Sequence, residues 1–433
     1  MGSALKTGAA VAFAAAAAFL SWSEAASAAD LGGDCCADLE ERIAELEATT
    51  ARKGNRKVSL TISGWVSQAV FLWDDGQESN AYVGTNSLEQ DRFRFVGDAK
   101  IDADWSAGYT LEIGLYGADS KQFSQDEDTG TNANTLVTRK AFWYVKSKTY
   151  GKLEVGLDGT ATYHLLDDTD FTQTRNVSDA EAPAVGLGRF KIRSDGAYIN
   201  GLLWTDVLRG VNNSTPGQNG RRNLVRYDSP EWHGFVITAS WAEDDMWGTA
   251  LTYKDELGDF KIAAKIGYEE NTDEVPTNQA CSILADQDCQ WWGASGTIQH
   301  TPTGLYIYAA YGEQSDDAEE NVNPLADGTD KMFFVQPGIE KKWFDLGKTT
   351  VYGEYRHDDT GSNLGKFTSA GGPFIREGDI DFWGGGIVQG IEKADMVLYV
   401  LYRRSSGDFV NSAGTRFDLD DFDLVITGGK INF

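Results

Sequence analysis

The chain has 433 residues, with 66 Asp plus Glu against 38 Lys plus Arg and a formal charge of −28. A pI near 4.4 excludes the basic face that a nucleic-acid binder needs. The 13 Trp, 17 Tyr and 21 Phe exclude a disordered acidic chain. Beyond the N-terminal stretch no run reaches the ~18 apolar residues of a membrane-spanning helix. That excludes a helical membrane protein but not a β-barrel, whose spans are polar at alternate residues.

Lys6 precedes an apolar run from Ala9 to Leu20, and Ala26-Ser27-Ala28 follows. A charged start, a short apolar stretch and an A-x-A site predict a secretory signal over 1–28. Asp34 stands before Cys35 where a lipoprotein signal needs a small residue. The four cysteines of the exported chain therefore meet an oxidising compartment. Residues 29–56 form a separate N-terminal segment, expected to be periplasmic. In it Leu39, Ile43, Leu46 and Thr50 are spaced 4, 3 and 4, a short amphipathic helix with coiled-coil spacing. Two heptads are too short to be stable alone, so the segment reads as an oligomer-forming helix or as a frayed linker. Cys35 and Cys36 beside it are adjacent and seldom bridge each other, which points to inter-subunit disulfides.

From Lys57 to the end, period two replaces the helical period. In Arg92–Asp102 the residues Phe93, Phe95, Ala99 and Ile101 point one way, and Arg92, Arg94, Asp98, Lys100 and Asp102 the other. Sixteen such strands are expected, near 57–73, 91–103, 109–116, 136–147, 151–157, 221–228, 234–241 and 246–254 in the first half. The second half supplies 260–269, 290–300, 305–312, 331–342, 348–357, 379–391, 395–404 and 422–433. Short connections follow the even-numbered strands and long acidic ones follow most odd-numbered strands. A soluble sandwich has no reason for that asymmetry; an outer-membrane barrel has tight periplasmic turns and longer external loops. The expected fold is therefore all-β: a transmembrane antiparallel barrel of about 16 strands over 57–433, behind a short periplasmic coiled-coil helix. The 48 glycines suit strand curvature, and Trp65, Trp73, Tyr109, Tyr116, Trp241, Trp247, Trp291 and Trp292 are candidates for interfacial girdles.

Asn223–Pro230 reads NLVRYDSP and is followed by Gly234-Phe235 and Ala239-Ser240-Trp241; the final strand DLVITGGKINF ends on Phe433. These residues resemble the general porins of Gram-negative outer membranes, in particular the alphaproteobacterial (rhizobial-type) branch. The resemblance implies a homotrimer of sixteen-stranded barrels in the outer membrane, among lipid and lipopolysaccharide, passing small hydrophilic solutes by passive diffusion. It also implies that the third external loop folds inward and opposes acidic residues to arginines on the barrel wall. Here that connection runs over 158–220, far longer than the others. Asp167, Asp168 and Asp170 are its candidate constriction acids, and Arg92, Arg94, Arg139 and Arg226 are candidates for the basic wall. Facing rows of charge would orient dipolar solutes; the bland alternative is that they hydrate a wide lumen.

Cys281 and Cys289 share one expected external loop, and an intraloop disulfide is expected between them. His164, His233, His300 and His357 are scattered, so no metal site is expected from the spacing. The acidic clusters read as solvated loop faces, some of which could hold Ca2+ with lipopolysaccharide phosphates. No cofactor is expected. Gly347-Lys348-Thr349 lacks the first glycine of a phosphate loop, and no G-x-S-x-G, H-E-x-x-H or C-x-x-C occurs; the expectation is a channel and not an enzyme. A sugar- or anion-selective channel is the alternative, with Tyr163, Phe171, Phe190 and Tyr198 as candidate sugar contacts. The N-terminal segment, beginning Ala29-Asp30, has features with which some barrels attach to peptidoglycan. The net charge predicts weak cation selectivity, provided the excess acid lies along the path.

Overall fold

A computed structural model describes residues 57–132, 135–181, 185–208, 215–242, 245–272, 289–316, 328–360 and 375–433. The signal segment 1–28, the segment 29–56 with its helix and Cys35 and Cys36, and Cys281 lie outside the described residues. The strands follow the alternating stretches closely. β1 (Ser59–Asp74), β2 (Ser79–Thr85), β3 (Arg92–Lys100), β4 (Trp105–Leu115), β5 (Leu136–Ser147) and β6 (Gly151–Gly159) come first. The long connection after β6 carries a small hairpin, β7 (Lys191–Ser194) and β8 (Ala197–Leu203). Next are β9 (Arg221–Asp228), β10 (Phe235–Ala242), β11 (Met246–Leu257), β12 (Phe260–Asn271), β13 (Cys289–His300) and β14 (Leu305–Asp316). β15 (Thr329–Phe344), β16 (Gly347–Thr360), β17 (Ile375–Ile391), β18 (Met396–Asn411), β19 (Arg416–Asp418) and β20 (Phe422–Asn432) complete the chain.

One antiparallel sheet contains all but the β7–β8 hairpin. β1 pairs with β20 from Trp65↔Asn432 to Asp74↔Asp423, which closes the sheet into a barrel without an edge. Two of the sixteen positions hold a broken strand. β2 pairs with the Gln68–Asp74 half of β1 and β3 with the Ser59–Trp65 half; β19 and β20 share β18 in the same way. At one end the turns are tight. In the turn before β14, Gly304 has φ +78, and a Cβ there would stand 2.2 Å from the Glu340 carbonyl oxygen, so only glycine fits.

The outer face carries the apolar half of the alternation: Ile62, Tyr109, Trp143, Ile237, Trp292 and Ile307 are all exposed, as lipid contact requires. Trp241 and Trp247 pair across β10 and β11 on that face. Of the expected girdle residues, Trp73 and Trp291 instead point inward and are buried. Trp65 lies under the Arg92 guanidinium, 4.3 Å from it.

The lumen is not polar all round. Connection 160–220 folds into the barrel and packs an apolar core against the inner wall, joining Leu165, Leu166, Phe190 and Trp204 to Phe334 and Leu424 of the strands. Burial of that apolar surface is what holds the loop inside. Polar anchors fix its course. Ala161 N–H donates to Ser240 Oγ (2.8 Å), Thr162 Oγ1 to Glu269 Oε2 (2.8 Å), and Tyr308 Oη to the Leu166 carbonyl (2.5 Å). Further on, Thr174 Oγ1 lies 2.8 Å from Gln336 Oε1, and Arg356 Nη1 donates to the Ala180 carbonyl (2.6 Å). The loop thus follows the wall from β10 to β16. Its return passes Gly312 so closely that a Cβ there would stand 1.9 Å from the Pro216 oxygen.

Candidate functional site

With the loop laid along β10 to β16, the charged remainder of the lumen lies beside β3 to β6 and β9. Strand parity turns Arg92 and Arg94 inward from β3 and Glu112 inward from β4, directly opposite Arg94 in the pairing register. Arg139 reaches the same place from β5 through a register shift beside Glu112. All three arginines converge on this one buried carboxylate. Arg92 Nη1 is 3.3 Å from Glu112 Oε1, Arg94 Nε 2.7 Å from Oε2, and Arg139 Nε 2.9 Å from Oε1. Lys430 and Arg92 both approach Glu89, at 3.5 and 3.9 Å. Four cations therefore face two carboxylates, and the wall is positive.

Arg226 does not join them. It lies further along the wall on β9, where it donates to Asp228 (3.1 and 3.0 Å) and comes within 3.9 Å of Glu154. Lys152 sits in the same pocket, 3.4 Å from Asp228. Lys140 pairs with Asp158 at 2.7 Å. This part of the wall is charged but balanced.

The loop supplies the opposite side. Asp167 accepts from Arg175 Nε and Nη2 (3.0 and 2.7 Å) and lies 3.0 Å from His164 Nδ1. Asp168 accepts from Arg175 Nη2 (2.8 Å) and Lys265 Nζ (3.3 Å). Asp170 is turned into the loop's own packing. It accepts from Thr172 N–H (2.8 Å), Thr172 Oγ1 (2.7 Å) and Thr174 Oγ1 (2.8 Å), and faces no arginine of the wall. Burial raises its pKa to about 6, and the threonine hydrogen bonds limit the rise. For His164 burial opposes the charge, but the Asp167 and Glu181 carboxylates override it and raise the pKa well above the usual imidazole value. Asp167 is itself held low, because His164 and Arg175 outweigh its burial. Asp167, Asp168 and Glu181 of the loop thus meet three cations, His164 and Arg175 of the loop and Lys265 of β12, while Asp170 is a fourth carboxylate held by hydroxyls.

Tyr163 bridges the two sides: its ring lies 5.7 Å from Lys140 Nζ and its hydroxyl accepts from Arg221 Nη1 (3.0 Å). The other aromatics nominated as sugar contacts do not form a line with it. Phe190 is in the apolar core, Phe171 packs on Lys261 (4.3 Å), and Tyr198 lies under Arg193 (3.7 Å). Glu112, Lys430, Arg175 and Lys265 were not nominated from the sequence. Parity on β4 and β20 identifies the first two once Arg92 and Arg94 are known to face inward; Arg175, in an irregular loop, has no such signal. Cys289 opens β13, is buried and is disulfide-bonded to a partner outside the described residues.

Solved structures share this architecture. An anion-selective porin from Comamonas acidovorans matches with a TM-score of 0.55 and 14% identity, over 87% of this chain and 100% of that one. Pseudomonas putida OprB, in its high-pH structure, matches with a TM-score of 0.53 and 11% identity, over 92% and 97%. The loop L8 deletion mutant of OmpT, an outer membrane protein of Vibrio cholerae, matches with a TM-score of 0.51 and 14% identity, over 87% and 100%. No curated protein matches the chain. The family model described as Gram-negative porin matches residues 9–416, nearly the whole sequence. A closed barrel with an apolar outer belt and a charged lumen is what such a match requires, and the chain belongs to the Gram-negative porin family, as an outer-membrane channel for passive diffusion.

Proposed function

We propose that this porin passes small hydrophilic solutes with a preference for anions. The observation that carries the reading is the convergence of Arg92, Arg94 and Arg139 on the single carboxylate of Glu112. A passing anion meets an excess of positive charge on the wall and a nearly balanced loop opposite. This reverses the weak cation preference expected from the total charge, because local charge governs a narrow aqueous path. The likeness to the anion-selective porin from Comamonas acidovorans agrees with it but rests on fold alone. A channel selective for one anionic nutrient is the second reading, favoured by the same arginines. Liposome swelling separates the two: smooth decline of rate with solute mass is expected. Saturable uptake of one anionic solute, with the others excluded, would instead establish a dedicated channel.

The homotrimer, the alphaproteobacterial branch, lipopolysaccharide contact and a Cys281–Cys289 bridge belong to the same proposal, as does Ca2+ at the acidic external loops. So does a periplasmic 29–56 segment that binds peptidoglycan and carries inter-subunit disulfides through Cys35 and Cys36. Removing residues 29–54 is expected to abolish both co-purification with peptidoglycan and the cross-linked ladder on non-reducing gels. Persistence of both in that variant would refute the role.

A further inference from the structure

We propose that His164, Asp167 and Glu181 form a binding site for a divalent transition-metal ion of the zinc class, set in the inward-folded loop. Nδ1 of His164 lies 3.0 Å from Asp167 Oδ1 and 2.6 Å from Glu181 Oε2. All three donor atoms lie within 4.8 Å of one another. Ligands about 2.0–2.2 Å from a tetrahedral zinc ion stand about 3.3 Å apart, so small side-chain adjustments convert this triangle into three coordination bonds. One imidazole nitrogen with two carboxylate oxygens suits zinc, copper or nickel. Calcium and magnesium take oxygen donors alone.

The donors come from two separate passes of the loop, so the site exists only when the loop is folded. Its surroundings already orient the ligands. Arg175 donates twice to Asp167 Oδ2 while both Asp167 oxygens lie 3.0 Å from His164 Nδ1, so Oδ1 is the oxygen that Arg175 does not engage, an outer-shell contact of the kind that fixes a metal-binding carboxylate. The His164 ring packs against that of Tyr163 at a tilt of 50°, with centroids 3.8 Å apart. The Glu181 backbone N–H donates to Asp179 Oδ1 at 2.9 Å. Both carboxylates are buried, while the His164 side chain keeps 28% exposure. The fourth coordination position can therefore be filled by water.

Among neighbouring cations, Arg175 and Lys265 are engaged by Asp167 Oδ2 and Asp168, so the charge facing the site is partly compensated. In the metal-free loop a proton on Nδ1 occupies the space between the carboxylates. Metal uptake breaks that N–H bond, forms the Nδ1–metal bond and releases the proton to water. The local charge rises by one.

Calorimetric titration of the purified full-length protein with Zn2+ near neutral pH tests this. One site per protomer is expected, with one proton released into the buffer. His164→Gln should abolish the site, Glu181→Gln should weaken it, and His357→Gln should leave it intact. His357 is the control because it faces Asp381 (3.0 Å) and Asp379 (3.8 Å) in another His–carboxylate cluster. Heat-modifiable gel migration checks that each variant folds; if His164→Gln does not fold, Glu181→Gln decides alone. Undiminished Zn2+ binding in that deciding variant would overturn the assignment. So would loss in His357→Gln instead, equal competition by Ca2+, or no binding at millimolar Zn2+.

Discussion

Across a salt gradient in planar bilayers the purified protein is expected to give a reversal potential of anion sign, against the sign of its −28 total charge. Among the described residues Arg92, Arg94, Arg139 and Lys430 pair within 4 Å only with Glu89 and Glu112, an excess of two positive charges in that cluster, with Asp91 the next carboxylate beside Arg92. Opposite them Asp167, Asp168 and Glu181 are matched by His164, Arg175 and Lys265, and Asp170 adds one buried carboxylate turned away into the loop. Acidic groups at the mouth act weakly at this depth, since the Debye length is about 10 Å at 0.1 M salt. A monovalent anion about 6 Å from one guanidinium in a water-like dielectric gains about 0.7 kcal/mol, roughly threefold in local concentration. The triple variant R92S/R94S/R139S turns an excess of two into a deficit of one. Its permeability ratio should move towards cations by roughly tenfold or more, most visibly at low salt. A wild-type potential of cation sign, or a triple variant that matches the wild type, would remove the basis for anion preference.

The opposite change separates charge from packing. Glu112→Gln raises the excess charge but leaves buried Arg139 without its carboxylate and buried Arg92 with only the more distant Glu89. Breaking a buried ion pair from one side typically costs about 3–5 kcal/mol. Stronger anion preference together with a lower unfolding temperature is therefore expected in that variant.

Much of this was legible in the sequence because a barrel strand has an unambiguous period. The stretches 136–147 and 221–228 were bounded as the structure bounds them, since their alternation ends at glycines or at a turn. β2 and β19 were not separated from the loops beside them, being fragments of a strand whose pairing is shared with a longer piece. Three of the four nominated arginines meet at one place, because parity alone aims Arg92 and Arg94 inward. Arg226 has the same parity and still lies apart, because parity gives direction but not position round the barrel. Asp170 shows a different limit. A carboxylate in an irregular loop has no period, and only the local Thr172 and Thr174 hydrogen bonds decide that it turns inward on its own turn. Likewise, His164 and Glu181 are seventeen residues apart, and no spacing rule joins them. The apolar half of the lumen was unreadable for a related reason. Alternation says which residues share a face; whether that face meets water depends on what the loop lays against it.

That apolar half makes the loop's attachment testable. Leu165 and Leu166 are fully buried between the loop and the wall. Their carbonyls are also held, Leu165 by Ser295 Oγ (2.6 Å) and Leu166 by Tyr308 Oη (2.5 Å). Replacing both by serine leaves those backbone anchors but removes the apolar contact. Large-to-small changes of this kind cost about 2–5 kcal/mol each, and burying a hydroxyl in place of an apolar side chain adds a desolvation cost. The detached loop has nowhere to go except the open side of the lumen, beside Arg92 and Arg139. Single-channel records of L165S/L166S should therefore show frequent brief closures in place of a steady open level, and protease should cut the loop. The barrel's own unfolding temperature should change little, because the strand ladder from β1 to β20 keeps every backbone hydrogen bond. Quiet, fully open traces in this variant would mean that the loop does not border the conducting path.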